Sequence, residues 1–286
     1  MQLILATILI YENCILVAIF DYMKNSLFVL LLLFSFTVRA QQNDDNKYYL
    51  FKDANFSEGT TDIKSGKYLL IIRKETDTSF AYLFYNAYGP MIKVERYLDE
   101  DGTKPCGKWC YYDSKGRLDS IGKVVGGKRE GDWFFYNDTM GIDRKVEFEL
   151  GKRKKEFNYS TKQIVYRDGS TSPIPQYQRD TTEVLVEATF EGGIPAFTKH
   201  LQRNLKVPDR MLSIMPSGRY SVRVDFSIFK DGLVGDVDIS QSIEFSADEE
   251  AKRMILTAGK WKAATINGKP VVYRYRQPIT IAITEE

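Results

Sequence analysis

An unbroken alternation of apolar and polar residues over positions 220–228 places the strongest constraint on what this chain can fold into. The apolar members are Tyr220, Val222, Val224, Phe226 and Ile228. A period of two predicts a β-strand with one buried face. Lys230-Asp231-Gly232 follows, which is typical of a hairpin turn, and residues 233–240 are predicted to return as a second strand. The chain is therefore expected to build an antiparallel sheet with one apolar face.

A strand and a helix are predicted before this hairpin. Residues 182–190 are predicted to form a strand, and Gly192 and Gly193 release the backbone for a turn. A helix is predicted over residues 194–206, with Pro195 in its first turn and Pro208 at its end. Its apolar residues recur at helical spacing and are Ile194, Phe197, Leu201 and Leu205.

A second helix and a last strand are predicted after the hairpin. Ser246 and Glu249 form a capping box that opens the helix, and Trp261 is expected to pack across it. The apolar face of the helix comprises Ala247, Ala251, Met254, Ile255 and Ala258. Asn267-Gly268 is predicted to turn the chain into a long strand over residues 271–283. The expected fold class is α+β, with an antiparallel sheet that carries two helices on one face.

The segment from about residue 183 to 286 resembles the C-terminal domain of TonB, the protein that energises outer-membrane transporters. The resemblance rests on Phe190-x-Gly192-Gly193, Val207-Pro208, Gly218, Asp231-Gly232, Trp261, Asn267-Gly268-Lys269-Pro270 and Pro278-Ile279. Two positions depart from the family: its Tyr-Pro is Val207-Pro208 here, and its Trp-x-Pro-Ala is Trp-Lys-Ala-Ala at 261–264. Both changes keep apolar character, so the fold is expected to persist.

The resemblance implies that this domain captures a short extended segment of a transporter by adding it as a strand to its sheet. The final strand is the expected docking edge, because Pro278 cannot donate to a ladder. The expected partner-binding residues are Val272, Tyr273, Arg274, Tyr275, Arg276 and Gln277. Two interpretations of Arg274 and Arg276 are open: they hold an acidic partner segment, or they guard an exposed edge against aggregation.

An internal repeat with a period of 24 residues marks the preceding region. Gly107-x-Trp109-x-x-Tyr112 recurs as Gly131-x-Trp133-x-x-Tyr136, and one such unit per hairpin predicts a stacked β-hairpin array. The pattern is similar to the MORN-repeat family. The aromatic residues Trp109, Tyr112, Trp133 and Tyr136 are interpreted either as core residues or as a ligand platform. Further strands are predicted at residues 67–73, 80–85 and 91–97, so this region is expected to be all-β.

The beginning of the chain has the form of a cleaved signal peptide. Lys24 precedes an apolar run at residues 27–36, and small residues precede Gln41. Translation is expected to start at Met23 and cleavage to follow Ala40, which implies a periplasmic protein. Retention of residues 1–40 would instead anchor the chain in the inner membrane, facing the periplasm.

Three regions are expected in the rest of the chain. Residues 41–169 are assigned to the β-rich domain with MORN-like repeats, and residues 183–286 to the TonB-like domain. Residues 170–182 are polar, contain two prolines and are assigned to a linker.

Charge and residue usage argue against several classes of function. The formal net charge of +2 does not suggest nucleic-acid binding, and the basic run at residues 152–155 is interpreted as a solvated loop. Cys106 and Cys110 are expected to be either bridged or two buried thiols. The single histidine, His200, is expected to be a helix residue, since no nucleophile motif accompanies it. No catalytic residue, metal or cofactor is expected, so the chain is not predicted to be an enzyme.

Three functions remain in view. The first is a periplasmic binding protein that recognises outer-membrane transporters or other envelope proteins. The alternative is a membrane-anchored TonB energy transducer for transport across the outer membrane. The third is a structural or antitoxin-like MORN protein whose TonB-like domain mediates assembly. Energy transduction requires an anchor with a polar coupling residue, typically histidine, and a long spacer; no histidine precedes His200 and no long spacer is present, which favours the first.

Overall fold

The computed structural model describes residues 46–175 and 183–284. The predicted signal peptide at residues 1–40 lies outside the described residues, and so do residues 176–182 of the predicted linker. In the ranges that are described, no helix has both the length and the apolar character needed to cross a membrane.

The N-terminal region forms one antiparallel sheet of twelve strands, here called the N-terminal sheet. Its strands are β1 (Lys47–Phe51), β2 (Gly59–Thr60), β3 (Tyr68–Thr76), β4 (Ser79–Asn86), β5 (Met91–Tyr97), β6 (Pro105–Tyr112), β7 (Leu118–Val125), β8 (Lys128–Tyr136), β9 (Ile142–Glu149), β10 (Lys152–Asn158), β11 (Gln163–Tyr166) and β12 (Thr171–Pro173). From β3 to β12 each strand pairs with the next along the chain, and β1 lies between β3 and β2. The strands predicted near residues 67–97 are present as β3, β4 and β5.

Two expectations for this region are wrong. The predicted linker begins too early, because Thr171–Pro173 forms β12 and pairs with β11. The basic run at residues 152–155 is not a loop but the start of β10, where its side chains form ion pairs with carboxylates of the neighbouring strand. Lys155 Nζ, for example, lies 3.0 Å from a carboxylate oxygen of Glu147. A charge-rich segment joins a sheet readily when its neighbouring strand carries the opposite charges.

The repeat spacing divides the aromatic residues between the two faces of the N-terminal sheet. Successive strand residues point to opposite faces, so residues three apart, such as the Trp and Tyr of each repeat, lie on opposite sides. The face of this sheet that packs against the C-terminal region is here called the inner face, and the opposite side the outer face. Trp109 and Trp133 lie on the outer face. Trp133 is fully buried there, and Arg129 covers its ring at 4.4 Å. Tyr112 and Tyr136 lie on the inner face. A ring that is covered in this way is a core residue and not an open ligand platform.

The two cysteines are free thiols. Both lie on β6, with the left-handed residue Gly107 between them. Burial raises the pKa of the Cys110 thiol to about 12, which makes this thiol a poor nucleophile at neutral pH.

The C-terminal region is an α+β unit. Its elements are β13 (Leu185–Val186), β14 (Thr189–Phe190), α1 (Gly193–Asn204), α2 (Asp209–Ile214), β15 (Gly218–Ile228), β16 (Val234–Gln241), α3 (Phe245–Leu256), β17 (Trp261–Lys262), β18 (Ala264–Ile266), β19 (Lys269–Val271) and β20 (Tyr273–Ile283). Three strands form the C-terminal sheet in the order β16-β15-β20, and the short strands form two small sheets, β13-β18-β19 and β14-β17.

The core of this unit lies between the C-terminal sheet and its helices. Val222, Val224, Phe226 and Ile228 of β15 are fully buried there. Every residue of the predicted apolar face of α3 is buried with them, as are Phe197 of α1 and Met211 of α2. The predicted sheet with helices on one face is therefore confirmed. The opposite side of the sheet, here called the far face, carries the alternate residues of β15 and β20.

The structure differs from the sequence expectations at five points in this unit. The strand predicted over residues 182–190 is replaced by the two short strands β13 and β14, and residue 182 lies outside the described residues. The helix α2 was not expected. Pro208 was interpreted only as the end of the first helix, but it is also the residue directly before α2. Glu244 caps α3, not Ser246, since its side chain accepts from the Ala247 N–H at 2.6 Å. Ile194 is exposed and lies outside the core. The predicted last strand is divided, because Lys269–Val271 forms β19 with β18 and β20 begins only at Tyr273.

The hairpin turn packs directly on Trp261. Gly232 has a φ of +81° and a Cβ there would lie 2.0 Å from the Trp261 carbonyl oxygen. We expect Gly232→Ala to lower the free energy of unfolding by about 3 kcal/mol, from overpacking and left-handed strain combined. Gly268→Ala is the matched control, since its φ is +77° with no atom near the added Cβ, and about 1 kcal/mol is expected. Urea unfolding followed by circular dichroism measures both; equal losses would contradict the packing argument.

Candidate functional site

The two edges of the C-terminal sheet are in different environments. The N-terminal sheet runs along the β16 edge and contacts main-chain groups there. The Ser242 N–H donates to the Gly116 carbonyl at 2.7 Å, and the Tyr112 hydroxyl donates to the Ile239 carbonyl at 2.7 Å. Arg117 and Gln241 form an isolated antiparallel bridge. The end of the β16 edge, over residues 239–242, is therefore covered by the chain itself.

Ionic contacts reinforce this interface on the side of α3. Arg73 donates to Glu249 through both terminal nitrogens, at 3.2 and 2.8 Å. Such a two-point contact fixes geometry as well as charge. Although burial opposes ionisation of Glu249, Lys252 and Arg73 hold its pKa below the ordinary value. Phe245, at the start of α3, packs edge-on against Tyr85 with ring centroids 5.8 Å apart.

A buried carboxyl group lies at the centre of the interface. Asp248 accepts from the hydroxyl of Ser242 at 2.6 Å and from the hydroxyl of Tyr85 at 3.2 Å. Its other oxygen accepts from the Ile243 N–H at 3.2 Å. Burial raises the pKa of Asp248 to about 7, although the hydrogen bonds from Ser242 and Ile243 and the charge of Lys252 act in the opposite direction. The contact between the two parts of the chain thus includes a group that titrates near neutral pH.

The other edge of the C-terminal sheet is open among the described residues. β20 pairs with β15 in one continuous register, and no strand within residues 46–175 or 183–284 pairs with its outer side. An uncovered strand edge offers N–H and C=O groups to another extended chain. Of the two edges of the C-terminal sheet, the structure therefore leaves the β20 edge available for strand addition.

The alternation along β20 indicates which of its groups face outward. Pro278 has no N–H, and sheets accept proline where that group would point away from the neighbouring strand. Because the β15–β20 register is unbroken, groups of alternate residues face the same way. We infer that the N–H groups of Arg274, Arg276 and Thr280 also point outward.

The expected partner-binding residues have several different environments. Val272 is exposed and lies between β19 and β20, outside the strands. Tyr273 and Tyr275 face the helices, and the ring of Tyr275 lies 5.2 Å from that of Trp261. Gln277 is half-buried, and its side chain donates to the Pro278 carbonyl at 2.8 Å.

The two arginines of β20 bind carboxylates of the chain itself. Arg276 donates to Asp225 through Nε and Nη2, both at 2.8 Å. Arg274 Nη2 donates to Asp238 at 2.9 Å, and Lys108 of the N-terminal sheet also contacts Asp238, at 2.6 Å. The interpretation that these arginines hold an acidic partner segment stays a prediction, and such a segment would compete with Asp225 and Asp238 for them. The sequence missed these pairs because the carboxylates lie on other strands.

His200 has a structural role. Its Nε2 donates to the Met254 carbonyl at 3.2 Å, and its ring stacks on that of Phe197. The histidine thus links α1 to α3. In the described part of the chain, no group of three acidic, histidine or cysteine side chains is arranged to hold a metal ion.

Comparison with known proteins identifies the C-terminal segment alone. Residues 220–281 match the family model described as Gram-negative bacterial TonB protein C-terminal. This range includes most of β15, all of β16 and α3, and β20 as far as Ile281. The match supports the resemblance of this segment to that protein-interaction domain.

The other comparisons add little. No curated protein matches the chain. Among solved structures, a mutant of S. aureus TarM in complex with Fondaparinux, alpha-GlcNAc-glycerol and UDP is 10% identical, with a TM-score of 0.27. That alignment covers 36% of this chain and 21% of TarM. A score of this size does not indicate a shared fold.

Proposed function

We propose that this protein is a non-enzymatic binding protein of the Gram-negative periplasm that captures an extended segment of a partner by strand addition to β20. The partner class is an outer-membrane TonB-dependent transporter or another envelope protein. The observation that carries the proposal is the open β20 edge in a domain of the TonB C-terminal type, whose second edge the chain itself covers. Main-chain hydrogen bonds would supply affinity, and side chains would select the partner.

The N-terminal sheet is proposed to act as a scaffold of MORN-like hairpins. It contacts residues 239–242 at the end of the β16 edge through the Gly116 turn and Tyr112, so within the C-terminal sheet the β20 edge is the one left free for a partner strand. A sheet with two open edges is prone to pair with other copies of itself. Covering one edge therefore favours a defined complex.

The choice between a cleaved signal peptide and a membrane anchor depends on residues 1–40, outside the described ranges. We propose cleavage after Ala40, on the apolar run and small residues noted above. Fractionation of cells followed by sequencing of the mature N-terminus tests this. A protein that starts at Gln41 in the soluble periplasmic fraction is expected, and retention of residues 1–40 in the inner membrane would contradict it.

The strand-addition proposal is tested by Thr280→Pro. This change removes one of the N–H groups inferred to face outward. Because the side chain of residue 280 is exposed, the change does not disturb the core. We expect retention of solubilised outer-membrane TonB-dependent transporters on the immobilised protein to fall at least tenfold, roughly the effect of a lost hydrogen bond plus a steric block.

Thr280→Ala is the matched control, because it keeps the N–H and should bind like the wild type. Hydrogen exchange of the β20 amides, with and without a captured transporter, gives a second measurement. Slower exchange at residues 273–283 is expected on binding. Capture that survives Thr280→Pro, with unchanged β20 exchange, would refute strand addition at this edge.

A further inference from the structure

A cleft lies between the far face of the C-terminal sheet and the inner face of the N-terminal sheet. Its volume is about 340 Å³, at the low end for ligand pockets. One side of the cleft, here called the apolar wall, belongs to the N-terminal sheet and is formed by Leu118, Ile121, Tyr136, Met140 and Ile142. The C-terminal sheet supplies a charged wall formed by Asp225, Asp238, Ser240, Arg274 and Arg276.

The charges of the charged wall neutralise one another. Asp225 receives two hydrogen bonds from Arg276 and one from Ser240, at 2.7 Å. Asp238 receives hydrogen bonds from Arg274 and Lys108. Asp225 is only 8% exposed, so an entering carboxylate that took Arg276 would leave a buried charge without its partner, which is strongly unfavourable. The cleft therefore does not select a charged occupant.

The apolar wall is held in place by a rigid turn. Met140 has a φ of +62°, a left-handed conformation that non-glycine residues rarely adopt. The Asn137 side chain accepts from the N–H groups of Thr139 and Gly141, at 3.0 and 2.9 Å, and fixes this turn. Strained residues persist where surrounding contacts hold them, often at binding sites. At the end of the wall, Ile142 remains 44% exposed.

The cleft is continuous with the open strand edge. Arg274 and Arg276 belong to β20 and also line the cleft, so the strand that offers its edge also forms part of the cleft wall. A strand that pairs along β20 would direct every second side chain to the far face. Those side chains would enter the space between β20 and the apolar wall.

We propose that the apolar wall selects the partner segment, by receiving an uncharged branched-aliphatic or aromatic side chain of the strand that pairs with β20. The inference rests on the proposed function and adds a specificity role for the N-terminal sheet. The occupant is uncharged because the charged wall is internally neutralised, and apolar because the facing wall is apolar. The cleft volume of about 340 Å³ leaves room for a large side chain.

The test uses a phage-displayed library of random twelve-residue peptides, selected on the purified chain. Selected peptides are then measured by fluorescence polarisation against wild type, Ile142→Glu and Leu150→Glu. Leu150 is the matched control, since it is an exposed leucine, 71% accessible, at the turn after β9 and outside the cleft. Ile142→Glu is expected to weaken binding roughly tenfold, the effect of losing one buried apolar contact, while Leu150→Glu binds like the wild type. The selected peptides should carry apolar residues at alternate positions.

Two further variants keep the outcomes distinct. Ile142→Trp stays apolar but fills the cleft, and it is also expected to weaken binding; melting temperatures report whether each variant folds. If Thr280→Pro abolished binding of the selected peptides while both Ile142 variants bound them like the wild type, this inference would be overturned and strand addition would stand. Peptides unaffected by Thr280→Pro, or a library that yields no binder, would overturn both.

Discussion

Trp133→Ala is expected to lower the free energy of unfolding by about 3 to 5 kcal/mol, the range for removing a fully buried large aromatic side chain. The ring lies against Gly122, where an added Cβ would fall 2.2 Å from it, so residue 122 has no side chain with which to fill the space. Its Nε1 donates to the Lys123 carbonyl at 3.0 Å, and this hydrogen bond is lost as well. Urea unfolding followed by far-ultraviolet circular dichroism measures the change.

Trp109→Ala is the matched control at the equivalent repeat position. Trp109 is only half-buried, although its Nε1 donates to the Cys106 carbonyl at 3.0 Å. A smaller loss of about 1 to 2 kcal/mol is expected, since less apolar area is removed from water. If the two variants lost equal stability, the burial difference between the repeats would not govern their energetics.

Asp248→Asn is expected to remove a large part of the pH dependence of stability near neutral pH. The folded-state pKa of about 7 lies above the ordinary aspartate value of about 3.9. The folded protein therefore holds a proton that the unfolded chain has already released. This stabilising contribution is complete below about pH 4, falls as pH rises and is lost above about pH 7.

The magnitude follows from 1.36 kcal/mol for each pH unit. Between pH 5 and pH 8, wild-type stability is expected to fall by about 3 kcal/mol relative to Asp248→Asn, an order-of-magnitude value. The charged and titratable groups that face this carboxyl are Tyr85 from β4, Glu244 before α3 and Lys252 on α3.

Urea unfolding at several pH values tests this expectation, with Asp119→Asn as control. Asp119 is an exposed carboxyl group on β7, and its replacement should leave the profile parallel to that of the wild type. A parallel profile for Asp248→Asn as well would show that this carboxyl group is ionised throughout. Because Asp248 joins α3 to β4 through Tyr85, the same measurement reports on the contact between the two sheets.

The periodic elements of the C-terminal region were predictable because the spacing of their apolar residues indicates which side chains are buried. The alternation at 220–228 gave β15, and Val224 and Phe226 are buried where a period of two puts them. The Asp231-Gly232 turn and the apolar face of α3 followed from residue types within a few positions of each other. Local steric and hydrophobic preferences act over one turn or one strand, so one sequence contains them.

The caps and ends of these elements were less predictable. Glu244, and not Ser246, caps α3, because the chain leaves the N-terminal sheet contact at Ser242 in an extended conformation that brings Glu244 to the helix end. The long last strand was divided, because the Asn267-Gly268 turn closes a separate hairpin with β18. In both cases a competing contact, absent from the local pattern, decided the boundary.

The sequence by itself thus determined the β-rich N-terminal region, the hairpin, the helices that bury an apolar face and the candidate strand near residues 272–277. Only the tertiary structure decided which sheet edge is open, because a contact such as Tyr112 with Ile239 joins residues more than a hundred positions apart. It likewise paired Arg276 with Asp225 and buried Asp248 against Tyr85. Ion pairs between strands and the covering of a sheet edge depend on which distant segments pack together. The local spacing of apolar and polar residues does not predict that packing.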